Sequence, residues 1–364
     1  MKTSIRIAHG VGAALTLACS LAALPARADD TLFQQRNLVS DGFVAAEHTD
    51  ANLVNAWGVA FNPFGPVWVA DNGTGESTLY DGDGNIVPLV VQIPTPTAPT
   101  GGAPTGIVFN GSTSATSFAV SNGTTSGTSK FLFATEDGVI AGWAPSVAST
   151  QAFVAVDNSA AGAVYKGIAL SAGGHGQLLY ATDFHNARVD VFDNTFAPVT
   201  LSAGAFTDPK LPAGYAPFGI QAVGGNVFVT YAKQEAGSDD EEAGPGLGAV
   251  DVYDPNGNLL NRVATHGNLN APWGVALAPA GFGRYGNALL IGNFGDGTIS
   301  AYDAKNYTSL GQLRGSDHKT LHIDGLWGIA FGNGFVDQPV NTLFFAAGPD
   351  DEAHGLYGRL DVAQ

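Results

Sequence analysis

The side chains able to do chemistry gather in short polar clusters, most of them just after an apolar run. They are Asp71 with Asn72, Glu136 with Asp137, Asp183 with His185 and Asn186, Tyr231 with Lys233, Asn293 with Asp296, and Asp350 with Asp351. Lys166 stands just before a run, and Trp57, Phe218, Trp273 and Trp327 each precede a glycine at the start of one. Carboxylates and an imidazole can donate and accept protons, and polar groups around aromatic rings are suited to holding a small polar ligand or a loop of a protein partner. A second cluster, Asp239, Asp240, Glu241 and Glu242, lies in the extra stretch at residues 235–248. Clustered carboxylates suit a hard, oxygen-seeking cation, so a calcium loop is the expectation there beside a plain solvated turn.

Several motif matches lose their meaning in context. Residues 281–286 read Gly-Phe-Gly-Arg-Tyr-Gly and fit G-x-G-x-x-G, but no helical pattern follows to receive a phosphate, so a glycine-rich turn is expected. Residues 81–85 begin like a calcium loop, yet Gln92 stands where a bidentate Glu is needed. Neither G-x-S-x-G nor H-E-x-x-H occurs. Asp81, Asp193, Asp254 and Asp303 recur at one place in the pattern, and Asp accepts turn hydrogen bonds, so their repetition points to structure.

The elements that must position these residues follow from an internal repeat. A Gly-apolar block appears six times, at Gly58, Gly106, Gly167, Gly219, Gly274 and Gly328. The span from Gly58 to Gly328 is 270 residues over five intervals, a mean of 54, which is the length of a propeller blade. A second apolar strand follows each block, then a third that ends in an aromatic residue and Asp in four copies, then turn residues and a fourth strand. The reading is all-β: one six-bladed β-propeller of four-stranded blades over residues 29–364. The last repeat stops after three strands, so residues 32–39 are expected to supply the fourth and close the ring. In such blades the polar clusters share one face, because neighbouring strands are antiparallel.

The chain of 364 residues is 45% hydrophobic with 49 Gly and carries a formal charge of −17. That composition excludes a disordered chain, and the charge argues against nucleic acid. Lys2 and Arg6, an apolar stretch at residues 11–24, and Ala26-Arg27-Ala28 read as a signal peptide cleaved after Ala28. A periplasmic or secreted monomer without a membrane span is expected, and losing Lys2, Arg6 and Arg27 takes its charge from −17 to −20. The single cysteine, Cys19, falls inside the leader, and Thr16 stands where a lipoprotein signal prefers Leu, so lipidation, disulfides and thiolate chemistry are not expected.

The repeats resemble those of NHL-type propellers. Segments at residues 37–41, 52–58 and 181–187, and residues 281–283 with 289–297, resemble a family of exported bacterial propellers with no assigned activity. The resemblance extends over nearly the whole mature chain and implies fold more than function. Some members of that family end in a sorting tail; this chain ends at Asp361-Val362-Ala363-Gln364, so surface anchoring is not expected. The first functional expectation is non-enzymatic binding through the polar face, by Trp57, Asn72, Glu136, Lys166, Asp183, His185, Lys233, Trp273, Asn293, Trp327 and Asp350. The alternative is a metal-dependent lactonase or esterase resembling the gluconolactonase and senescence-marker propellers, in which Glu, Asn and Asp from different blades hold one divalent ion. By position alone, Glu136, Asp183 and Asn293 would hold calcium or another divalent metal, with His185 as base and Asp183 and His185 as the catalytic pair.

Overall fold

Each repeat block becomes the innermost strand of a blade: Ala56–Phe61, Pro104–Phe109, Tyr165–Gly173, Tyr215–Val223, Pro272–Leu277 and Leu326–Phe331. These six strands neighbour one another in chain order, and the sixth returns to the first, so the blades form a closed ring. The computed structural model describes residues 1, 31–173 and 176–363. The leader's apolar run, the cleavage site after Ala28 and Cys19 lie outside the described residues.

The repeat glycine is required at the axis. A Cβ on Gly58 would stand 2.5 Å from Thr105 O, one on Gly219 2.1 Å from Trp273 O, and one on Gly328 2.6 Å from Trp57 O. Each inner strand therefore packs its backbone on the backbone of the next, and a side chain at that point would push two blades apart. Every inner strand also breaks register with its partner at this level, for instance between Ala56 and Val59 and between Pro217 and Ile220. Such bulges sharpen the local bend where the strands enter the ring.

Four of the second strands, Val67–Asp71, Phe131–Thr135, Ala288–Asn293 and Leu343–Ala347, are buried along their whole length because blades cover both faces. Five blades have an outer strand, and in the sixth blade it is Phe33–Ser40, paired antiparallel with Leu356–Val362. The ring is thus closed by the N-terminal strand. Phe33 packs against Phe282 and Tyr285, with centroids 4.7 and 6.0 Å apart, and Thr31 Oγ1 accepts the Arg284 N–H at 2.9 Å. The G-x-G-x-x-G segment, a short 3-10 turn at Gly283–Tyr285, is a seat for the closing strand.

The third blade departs from the four-strand pattern. Its sheet has Tyr165–Gly173, Gly176–Asp183 and Arg188–Asp193, and the fourth position is a single bridge from Phe192 to Pro198. Proline has no N–H to give to a ladder, which ends the strand there. The second blade adds a small hairpin, Ala119–Ser121 with Ser126–Thr128, inside a Ser/Thr/Gly-rich stretch at residues 111–129. Among the described residues no helix is long and apolar enough to cross a membrane.

On one face, here the turn face, the repeated aspartates close their own turns. Asp254 Oδ1 accepts the Asn256 and Asn258 N–H groups at 2.8 and 2.9 Å, and Asp81 does the same with Asp83 and Asn85 at 2.9 Å each. Asp193 and Asp303 repeat the arrangement. The opposite, loop face carries the starts of the inner strands and the loops between second and third strands.

Candidate functional site

Aromatic side chains close the axis at the loop face. Trp57 and Trp327 stack with centroids 3.7 Å apart, and Phe294 stacks on Trp327 at 3.8 Å. Trp273 meets both tryptophans edge-on at 6.4 and 6.0 Å, and Phe218 lies 5.7 Å from Trp327. Trp57 and Trp327 are 1% and 0% exposed. The sequence suggests an aromatic rim; the structure has a plug, with Trp273 and Phe294 partly accessible. One residue before the close-packed glycine, a large ring on a converging strand has the axis as its free volume, and burial there is favourable. Trp327 Nε1 donates to Asn55 Oδ1 at 3.2 Å and Trp273 Nε1 to Lys166 O at 2.8 Å, whereas Trp57 Nε1 has no hydrogen-bond partner among the described residues. Beyond the plug, a cavity of about 240 Å³ at the turn-face end of the axis is lined by inner-strand residues including Val59, Ile107 and Gln221.

Lys166 lies on this plug. Its side chain is 2% exposed, with Nζ 5.2 Å from the Trp57 ring centre. Nζ is 2.6 Å from Glu136 Oε1 and 3.5 Å from Asp240 Oδ1. Glu136 Oε2 accepts Asn72 Nδ2 at 2.8 Å, and Asn55 Nδ2 donates to Asn72 Oδ1 at 3.3 Å and to Glu352 Oε2 at 3.1 Å. Five blades contribute to this network. Asn55 and Asn72 come from the first, Glu136 from the second, Lys166 from the third, Asp240 and Glu241 from the fourth and Glu352 from the sixth.

The electrostatics are uneven. Burial by itself would lower the Lys166 ammonium, but the carboxylates of Glu136, Glu241 and Asp240 outweigh it and hold the lysine charged. Burial pushes Glu241 up to about 8, with Glu352 and Asp240 adding to the rise and Lys166 opposing it. Burial likewise lifts Glu352 to about 7, with Glu136 and Asp240 raising it and Lys166 opposing. One cation thus serves four carboxylates, and two of them resist ionisation at neutral pH.

The other residues singled out in the sequence go to separate places. Asp183 is buried at a strand end; Oδ1 accepts Val164 N and Asn186 N, both at 3.2 Å, and Oδ2 accepts Asn186 Nδ2 at 2.8 Å and pairs with Arg188 at 3.3 Å. Asn293, also buried, accepts Asn270 N at 3.1 Å and donates to Asn268 O, Thr298 and Ser300. Glu136, Asp183 and Asn293 therefore belong to three different hydrogen-bond sets. Among the described residues no three His, Cys, Asp or Glu side chains are grouped to hold a metal ion. The acidic run is also divided. Asp239 meets His185 Nδ1 at 2.5 Å, Asp240 faces Lys166, Glu242 pairs with Lys233, and Glu241 is half-buried within electrostatic reach of Lys166. The cause is a strand, Glu241–Glu242, that pairs with Gln234 and Lys233 and turns successive side chains apart. His185 and the turn at residues 235–239 line an open cleft of about 580 Å³ at the rim. Asp350 is an exposed turn residue 3.9 Å from His354.

Asn55 and Glu352 carry the network and have little sequence signal. Asn55 adopts a left-handed backbone, φ 45°, and Glu352 ends a left-handed turn with Asp350 and Asp351, φ 58°, 51° and 67°. Asn and Asp tolerate that conformation better than most residues, which is the one local hint.

No protein-family model matches the chain. It is 31% identical over 337 residues to the uncharacterized protein R648 of Acanthamoeba polyphaga mimivirus, spanning 91% of this chain and 80% of that one. It is 30% identical over 334 residues to the uncharacterized protein L690 of the same virus, spanning 89% and 84%. These relatives are viral, and they do not show the exported bacterial setting expected from the sequence. Among solved structures, a streptogramin B lyase superposes with a TM-score of 0.52 at 14% identity, over 92% of this chain and 98% of that one. A glucose dehydrogenase does so with 0.53 at 12%, over 91% and 100%, and a Bacteroides thetaiotaomicron protein of unknown function with 0.56 at 12%, over 91% and 76%. Likeness at such identity extends to the propeller fold alone.

Proposed function

The chain belongs to the family of the mimivirus protein R648, a family of six-bladed propellers without an assigned activity, and from that premise we propose that it is a binding protein whose loop face holds a small polar ligand or a partner's loop at Lys166. The observation that carries this reading is the buried lysine held by polar side chains from five unlike loops over an aromatic plug. The turn-face aspartates repeat from blade to blade, whereas this set of side chains occurs once, and buried charges of unequal number cost stability, which points to a use other than folding. The lactonase alternative needs Glu136, Asp183 and Asn293 on one ion; the oxygens of Asp183 and Asn293 are already engaged within their own blades, so binding ranks first. An exported, periplasmic or secreted, setting is part of the proposal through the leader sequence.

A thermal-shift screen of sugars, amino acids and organic acids against the wild type and Lys166→Met tests it. Ligands whose stabilisation disappears in Lys166→Met support the reading. Ligands that stabilise both proteins equally, or metal-dependent turnover of a lactone panel abolished by Asp183→Ala, would overturn it.

A further inference from the structure

The second strands of the first, third and fifth blades all end in a buried acid or amide, at Asp71, Asp183 and Asn293. Two of the three are provided with donors. Asp183 stands across the ladder from Arg188, which pairs with it at 3.3 Å, and it accepts Asn186 Nδ2 at 2.8 Å. Asn293 carries its own donor, and Nδ2 reaches Asn268 O, Thr298 Oγ1 and Ser300 Oγ at 3.1, 3.0 and 3.3 Å. Asp71 stands across from Glu76, a second acid. Thr78 takes the place of Ser300, since it pairs with Val69 as Ser300 pairs with Ile291.

Around Asp71 the result is a set of oxygens with no donor among them. Asp71 is 0% and Thr78 1% exposed, and both Asp71 oxygens, Glu76 Oε2 and Thr78 Oγ1 are buried without a hydrogen-bond partner among the described residues. Opposed and alternate residues of paired strands share a face, and here it is the face on which Val67, Val69 and Tyr80 pack against Phe344 and Tyr357 of the sixth blade. Asp50 adds a further acid close by, with its oxygens accepting Asn52 N and the Tyr80 hydroxyl, both at 3.0 Å. Among the described residues no Lys, Arg or His forms an ion pair with Asp50, Asp71 or Glu76. Burial pushes the Asp71 carboxyl well above the usual range, and Asp50 and Glu76 add to the rise while Thr78 opposes it. A buried carboxylate without a counter-charge is among the costliest groups a fold can hold.

We propose that Asp71, Glu76 and Thr78 hold a calcium ion between the second and third strands of the first blade, in the role that an amide has in the fifth blade and a guanidinium in the third. Every group offered is an oxygen, which suits a hard cation and not zinc or copper. Two carboxylates match a divalent charge. Magnesium keeps several of its waters and demands a near-ideal octahedron, which a buried set fixed on two strands supplies less well than the loose geometry of calcium. Two acids and a hydroxyl form a smaller set than the group of three acids or histidines that the described residues lack. The site is separate from Lys166 and stands whether or not the loop-face reading does. It bears on that reading at one point, because Asn72 follows Asp71 and donates to Glu136 at 2.8 Å.

The test combines metal analysis by inductively coupled plasma mass spectrometry with thermal melting of the whole protein, in EGTA and in about 1 mM calcium or magnesium. The wild type is expected to hold about one calcium per chain and to melt about 3 °C or more higher in calcium than in EGTA, with magnesium giving less than about half that shift. Asp71→Asn copies the fifth blade by placing an amide donor among the oxygens. It should bind no calcium, melt within about 1 °C of itself in all three conditions, and melt no lower than the wild type in EGTA. Glu76→Gln removes one of the two charges at a half-buried position and should raise the calcium needed for half the shift about tenfold. A wild type without calcium and without a calcium shift overturns the proposal and leaves Asp71 as a carboxylic acid satisfied by a proton. A calcium response retained in Asp71→Asn also overturns it, by placing the ion elsewhere, for example at residues 239–242. An equal or larger shift in magnesium overturns the choice of ion. Should Asp71→Asn fail to fold, an unchanged calcium requirement in Glu76→Gln overturns the proposal by itself.

Discussion

The two faces of the propeller use the same side chains in opposite ways. On the turn face, Asp193, Asp254 and Asp303 are held below the usual carboxylate range. The Thr195 hydroxyl lowers Asp193, the Asn306 N–H lowers Asp303, and the Asn258 amide prevails over burial at Asp254. On the loop face, burial pushes Glu241 and Glu352 up. The first group recurs blade after blade with its donors a few residues away, so each turn satisfies itself. The second group occurs once, and its charges are balanced only by residues from other blades. Local satisfaction marks the parts that make the fold, and unresolved charge marks the part kept for something else.

The repeated positions should show the largest effects when broken. Gly219→Ala puts a methyl 2.1 Å from Trp273 O and is expected to cost about 3 kcal/mol or more in chemical denaturation. Gly167→Ala, whose nearest contacts are at 3.1 Å, should cost about 1 kcal/mol. Equal losses would mean the axial spacing is softer than the backbone contacts imply.

Next comes the unrepeated centre. Lys166→Met leaves four carboxylates without their cation and should lower stability by roughly 2–4 kcal/mol at pH 8, in urea titrations. The loss should shrink at pH 5, because Glu241 and Glu352 are then protonated and no longer need a counter-charge. A loss independent of pH would make Lys166 a packing residue only.

A smaller effect is expected on the turn face. Asp254→Ala removes an acceptor of two backbone N–H groups and should cost about 1 kcal/mol at pH 7. Because the folded-state pKa of Asp254 is depressed, its contribution is present above the unfolded carboxylate range, near 4, and is lost as pH falls through the folded value. Stability curves of variant and wild type should therefore converge below about pH 3. The smallest change belongs to the rim, where Asp239→Asn breaks a half-exposed pair with His185 and should shift stability by about 0.5 kcal/mol or less.

What was legible in the sequence follows the same division. The six glycine blocks, the closing strand and the self-capping aspartates are short-range patterns that repeat, and they appear as read. The site was legible only in pieces. Lys166, Glu136 and Asn72 stand out by type and position, but nothing local says that the indoles of Trp57 and Trp327 fill the axis instead of lining an opening. Nor does the run at residues 239–242 say that a two-residue strand will direct its carboxylates to separate partners. Glu352 reaches Asn55 across 297 positions, through a left-handed turn with no conspicuous residue pattern. The third blade's missing outer strand was signalled by Pro198, a residue easily passed over when five other repeats continue.

The account's central claim is that Glu241 is kept at the loop-face centre against the interest of stability. The melting temperature of Glu241→Gln, compared with the wild type without ligand at pH 5.5 and 8.5, tests it directly. Folding raises the Glu241 pKa from the usual range to about 8, so the folded state holds a proton that the unfolded chain has already released. Wild-type stability should therefore fall as pH rises from about 4.5 to 8. The variant, which carries no charge at this position, should melt about 2–6 °C higher than the wild type at pH 8.5 and within about 1 °C of it or below at pH 5.5. A variant that melts lower than the wild type at pH 8.5 would show that the ionised carboxylate stabilises the fold and would contradict the claim.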